Sequence, residues 1–131
     1  ALGEKQQALA YLEQALPLRR QVGDRAGEAT TLNNMALIYF GQGDYTRSAG
    51  MFSNVLEIAR QLGAVEMEAA CSFNLAFVLH HHLGDTDRAV ALVRRSIDIL
   101  RRYGLPQDAA GGTLAQHEAF LAEMLGGGDT H

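Results

Sequence analysis

Glycine recurs along this chain at nearly constant intervals. Gly23, Gly63 and Gly104 are separated by forty and then forty-one positions, and they close three similar stretches: PLRRQVGD from Pro17, EIARQLGA from Glu57 and DILRRYGL from Asp98. A second set, Gly3-Glu4, Gly43-Asp44 and Gly84-Asp85, keeps the same two intervals. A fixed period of this length, with two breaks per unit, confines the chain to a repeat architecture.

The segments between the breaks have helical period. From Asp44 the apolar or small positions are Tyr45, Ala49, Phe52, Val55, Leu56, Ile58, Ala59 and Leu62; from Asp85 they are Ala89, Val90, Leu92, Val93, Ile97, Ile99 and Leu100. Spacings of three and four residues place these side chains on one face of an α-helix. Asp44 and Asp85 suit N-cap positions, and Gly63 and Gly104 suit left-handed C-terminal positions. Strand-like alternation is absent. The sequence therefore predicts an all-α chain with helices at 4–22, 26–41, 45–62, 65–82, 86–103 and 107–125.

Short connections favour antiparallel neighbours, and two helices per repeat give a solenoid in which each hairpin is covered by the next. Two irregularities stand out. Pro17, late in the first helix, should kink or shorten it. The extra residue in the second interval falls near His80-His81-His82, because Asn34 to Asn74 and Ala36 to Ala76 still keep the shorter of the two intervals. It should extend or distort the end of that helix.

Composition narrows the function classes. The 131 residues carry a formal net charge of −4, without the basic excess that a nucleic-acid face needs. Cys71 is the only cysteine, which rules out an internal disulfide and a thiolate metal cluster. No apolar run approaches the roughly 18–20 residues of a membrane span. No signal-peptide pattern opens the chain, so the expected compartment is the cytoplasm. A first residue Ala1 in place of Met reads as a piece of something longer.

Residues 31–63, TLNNMALIYFGQGDYTRSAGMFSNVLEIARQLG, and 71–104, CSFNLAFVLHHHLGDTDRAVALVRRSIDILRRYG, resemble the tetratricopeptide repeat family. The likeness is to its longer variety, with a period of forty or slightly more, seen in kinesin light chains and many bacterial regulators. Each segment runs from an Asn-hydrophobic-Ala element to Gly-Asp and then to a second, aliphatic-rich helix. Residues 3–23 resemble only the second helix of such a repeat. Residues 106–125 match poorly, as a partial repeat or capping helix. The domain so described is 1–125, comprising 3–23, 25–63, 65–104 and 106–125, with a flexible tail at 126–131. Within it, Ser48 stands where Ala8 and Ala89 supply a small packing residue, and Val55 and Ser96 replace Ala15.

The resemblance implies a right-handed superhelical array whose first helices line a concave groove for a peptide or partner helix. Carried over by position, Asn34 and Asn74 match the family asparagine that contacts a bound peptide backbone. A carboxamide has both a donor and an acceptor, so it can pair with a peptide bond without reading side chains. Leu37, Phe40, Phe77 and His80 would add apolar and aromatic anchors, flanked by Asn33 and its counterpart Phe73. The plainer alternative gives the asparagines a structural or solvated role.

Other constellations point away from chemistry. Consecutive helical residues diverge by about 100°, so His80-His81-His82 should not converge on one metal ion. GQGDYT lacks the third glycine and preceding strand of a dinucleotide site, and GGGDTH lacks the Gly-Lys-Ser/Thr of a phosphate loop. Cys71 sits on an apolar face, as a small buried residue does. The repeat geometry brings together no Ser/His/Asp or paired-carboxylate arrangement. The arginine pairs 19–20, 94–95 and 101–102 suit helix C-termini.

The expected function is thus a non-enzymatic protein–protein interaction scaffold that needs no cofactor and no metal. Its partner would be a protein or peptide, with neither nucleic acid nor membrane involved. Alternatives are a sensor segment of a larger bacterial transcription regulator or signalling NTPase, and self-association as a homo-oligomer through the exposed terminal helices.

Overall fold

The computed structural model describes residues 3–126. Six helices follow in order: α1 (Glu4–Gln21), α2 (Arg25–Gly41), α3 (Tyr45–Leu62), α4 (Val65–His81), α5 (Thr86–Arg102) and α6 (Leu114–Met124). Among the described residues there is no strand, only an isolated bridge between Gln107 and Thr113. The all-α class and the helix hairpins are as the glycine period predicts. The tail expected at 126–131 lies, beyond Gly126, outside the described residues.

The chain divides into two compact units, Ala1–Leu62 and Gly63–His131. In the first, α1 packs on α2 and α2 on α3. The inward stripes are Leu32, Met35, Ala36 and Tyr39 on α2 and Ala49, Phe52, Val55, Leu56, Ile58 and Ala59 on α3, all buried. No residue of α1 is buried. In the second unit α4 packs on α5 and α5 on α6. Ala69, Ile99 and Leu100 are buried together there, with Val65, Leu105 and Leu114 packed around them.

The turns follow from their sequence. Gly23 and Gly43 take φ of +72° and +80°, where an L side chain would be strained. That reversal lets the Asp24 amide reach the Arg19 carbonyl and the Asp44 amide reach the Tyr39 carbonyl, each at 2.9 Å. The same aspartates then cap the next helix. The Asp24 carboxylate accepts from the Gly27 amide at 2.9 Å, Asp44 from Arg47 at 3.2 Å and Asp85 from Arg88 at 3.3 Å.

Two sequence expectations are narrowed and one is corrected. Of the two effects expected of Pro17, shortening does not occur, since α1 continues to Gln21. The proline lacks only the amide that would meet the Glu13 carbonyl, and Glu13 is exposed to water. The extra residue does not extend α4, since α2 and α4 are equally long, but it does alter the helix end, where His82 takes φ −125° against −89° at the equivalent Gln42. It enters the following turn, where the Asp85 amide reaches the Leu79 carbonyl at 2.9 Å across one more residue than its counterpart in the first unit. Finally, α6 begins at Leu114, not at residue 107. The Asp108 carboxylate captures the amides of Ala110 and Gly112 at 2.8 and 2.9 Å, in competition with a helical turn. A capping box between Thr113 and Gln116 then starts the helix.

Candidate functional site

The eight residues expected to line a groove fall on two helices in different units. On α2, Asn34 is exposed and Leu37 is 50% exposed, while Asn33 and Phe40 are half-buried. Asn34 and Leu37 are three residues apart and share a face, with Met35 and Ala36 turned into the core. Phe40 is directed at its own hairpin, its ring edge-on to Tyr45 at 5.4 Å.

On α4 the equivalent face meets α6. Phe73 lies 4.6 Å from the His117 ring and 5.1 Å from the Phe120 ring. Phe77 is 37% exposed, and Phe120 approaches it at 6.1 Å. His80 is half-buried, with Nδ1 at 2.8 Å from the Thr86 hydroxyl, and Asn74 is half-buried. Phe120 thus covers part of what the sequence offered as open groove. Its apolar ring, on a helix that matched no repeat well, was the signal available in the sequence.

The expectation that no Ser/His/Asp arrangement forms is also corrected. Ser96 Oγ lies 2.7 Å from His117 Nδ1, and His117 Nε2 lies 2.7 Å from Asp108 Oδ2. The loop that delays α6 creates this chain, by folding Asp108 back over the first turn of the helix. Ser96 Oγ is also 2.8 Å from the Val93 carbonyl. Ser96 and His117 are wholly buried and Asp108 nearly so, so no substrate reaches the hydroxyl. The three side chains tie α5, the loop and α6 together as a buried polar network.

A second polar feature recurs in both units. Glu28 on α2 and Glu68 on α4, one repeat apart, are both buried. Glu28 accepts from Arg20 at 3.0 Å and from Arg25 at 2.7 Å. Glu68 accepts from Arg95 at 3.1 Å. Burial alone would raise the Glu28 pKa, but the hydrogen bonds and charges of Arg20 and Arg25 outweigh it and hold this carboxyl below the usual glutamate value. Asp24 is likewise held low, first by the Gly27 amide and then by Arg19. Arg20 and Arg95 therefore do more than face helix ends, since each compensates a carboxylate that packing has removed from water.

Helix hairpins with Gly-Asp turns at Gly43-Asp44 and Gly84-Asp85, repeating at a near-constant interval, define an α-helical repeat protein. The sequence model of the tetratricopeptide repeat matches residues 1–61 and 27–102, and the chain belongs to that family. Tetratricopeptide repeat protein 29 of Trypanosoma brucei brucei is 28% identical over 114 residues, covering 87% of this chain and 24% of that protein. The crystal structure of BtubC (BKLC) from P. vanneervenii superposes with a TM-score of 0.77 at 22% identity, over 97% of this chain and 51% of that one. This likeness is one of fold. The chain spans about a quarter of the first relative and about half of the second. No helix among the described residues is long and apolar enough to cross a membrane.

Proposed function

We propose that the chain is a non-enzymatic interaction module that takes a peptide or partner helix on the open face of α2. Tetratricopeptide repeats generally mediate protein–protein interaction, and this chain is one of them. The observation that carries the finer reading is the pair Asn34 and Leu37 on α2. An amide that can hold a peptide backbone stands beside an apolar anchor, both exposed on a helix whose other face is core. Such a pair supplies a sequence-independent hold and a selective one.

The test begins with peptides selected from a random displayed library against the intact chain. Their affinities are then compared with those for Asn34→Ala and Leu37→Ala. A loss of about tenfold corresponds to roughly 1.4 kcal/mol, the scale of one or two such contacts. Unchanged affinity with helicity intact would overturn the proposal.

Self-association is a second reading, favoured by α1. Tyr11, Leu18 and Val22 are 71%, 62% and 77% exposed, on or just after a helix that buries no residue. Light scattering at micromolar concentration decides it, since a monomer mass sets it aside.

A further inference from the structure

His81 Nε2 lies 3.4 Å from Glu123 Oε2, and His80 Nε2 lies 3.9 Å from the same oxygen. One ligand atom from each of the three side chains falls within 4.8 Å of the other two. Adjacent histidines diverge along α4, but Glu123 of α6 comes up beside the His80 and His81 rings and gives them a common point.

We propose that His80, His81 and Glu123 form a binding site for a divalent transition-metal ion of the zinc class. Two imidazoles and one carboxylate are the donors such an ion takes, with a fourth position open to water. Tetrahedral ligands at about 2.0–2.1 Å place their donor atoms about 3.3 Å apart, close to the His81–Glu123 separation. Both Glu123 distances are below the 4.8 Å span of the three ligand atoms, so the remaining closure falls mainly on the two imidazoles, by small side-chain rotations, with the 50% exposed Glu123 following.

Two further observations support the assignment. The contact between His80 Nδ1 and the Thr86 hydroxyl fixes the ring so that Nε2 faces Glu123, as an outer partner orients a ligating histidine. The site also lies in the last turns of α4 and α6, where the terminal carbonyls favour a cation. Glu123 at a helix C-terminus is unfavourable by itself and is relieved by positive charge. A bound ion would clamp the ends of the two helices together.

Calorimetric titration of the intact, chelator-treated chain with Zn²⁺ tests this. One equivalent should bind, and Glu123→Gln or His81→Ala should weaken it by at least about tenfold. His82→Ala should leave the affinity unchanged, and Mg²⁺ should give no binding. Zn²⁺ should also raise the melting temperature of the intact chain and not that of Glu123→Gln. Glu123 is exposed, so its replacement leaves the fold in place. Absence of Zn²⁺ binding, or binding that Glu123→Gln leaves unaltered, as histidines elsewhere would give, overturns the proposal. Loss of binding in His82→Ala overturns it equally.

Discussion

His117 Nε2 stands 2.7 Å from Asp108 Oδ2, and neither side chain reaches solvent appreciably. The pair fixes the loop before α6 to the helix it precedes. Gly112 completes the arrangement by being small, because a Cβ there would lie 2.5 Å from Asp108 Oδ2 and 3.2 Å from His117 Nε2. Removing one partner from a buried polar pair leaves the other unsatisfied, so Asp108→Ala should cost about 1–3 kcal/mol in chemical denaturation. Gly112→Ala should destabilise the same unit by pushing the pair apart. Ser96, despite its neighbours, should not label with a serine-reactive phosphonate under native conditions.

Two buried serines should respond to alanine with opposite signs. Ser48 Oγ donates to the Ala36 carbonyl at 2.8 Å, whereas Ser72 Oγ is buried with no hydrogen-bond partner among the described residues. Ser48→Ala should cost about 1 kcal/mol, the net value of a hydrogen bond. Ser72→Ala should stabilise by a similar amount, because it removes a desolvated hydroxyl and leaves the packing almost unchanged. Paired urea titrations would show the two midpoints moving in opposite directions.

Acid should act on the first unit through Glu28. Its pKa in the folded chain is below the ordinary 4.5, so its contribution is fully present above pH 4.5. The contribution is lost as pH falls through the lowered folded value, because the unfolded chain takes up the proton first. Glu28→Gln should therefore be less stable than the parent at neutral pH, and its stability should fall less steeply below pH 4.5. Denaturation curves at a series of pH values give both slopes.

Phe120 should be the principal apolar tie between α6 and α4. It is buried against Phe73 at 5.1 Å, with the His81 ring nearly parallel to it at 5.8 Å. Phe120→Ala should cost about 3–5 kcal/mol, the usual range for a buried aromatic. Amide exchange in α6 should accelerate correspondingly, before that in α4 or α5.

Much of this fold is legible in the sequence because its turns are local. Gly23 or Gly43 followed by aspartate marks both the end of one helix and the cap of the next, so five of the six helices start within a residue of their expected positions. The region around α6 was not legible, because its rules are not periodic. Asp108 reads as an ordinary early-helix acid until its carboxylate is seen holding two amides and a histidine. Likewise, nothing in the spacing of Phe73 or His81 announces Phe120 or Glu123, which come from a segment that carries no repeat signature. The exposure of Asn34 and Leu37 follows from the helical period, which turns Met35 and Ala36 inward.

The turn between α4 and α5 closes with the same kind of hydrogen bond as its counterpart between α2 and α3, although it holds one residue more. Closure there depends on the Leu79 carbonyl and the Asp85 amide, and not on a set number of residues between them. Added length at such a joint costs entropy only logarithmically. Leu83 and Gly84 are exposed. This joint is therefore a natural graft point, where an epitope or a reporter loop can be spliced in while both flanking helices keep their register.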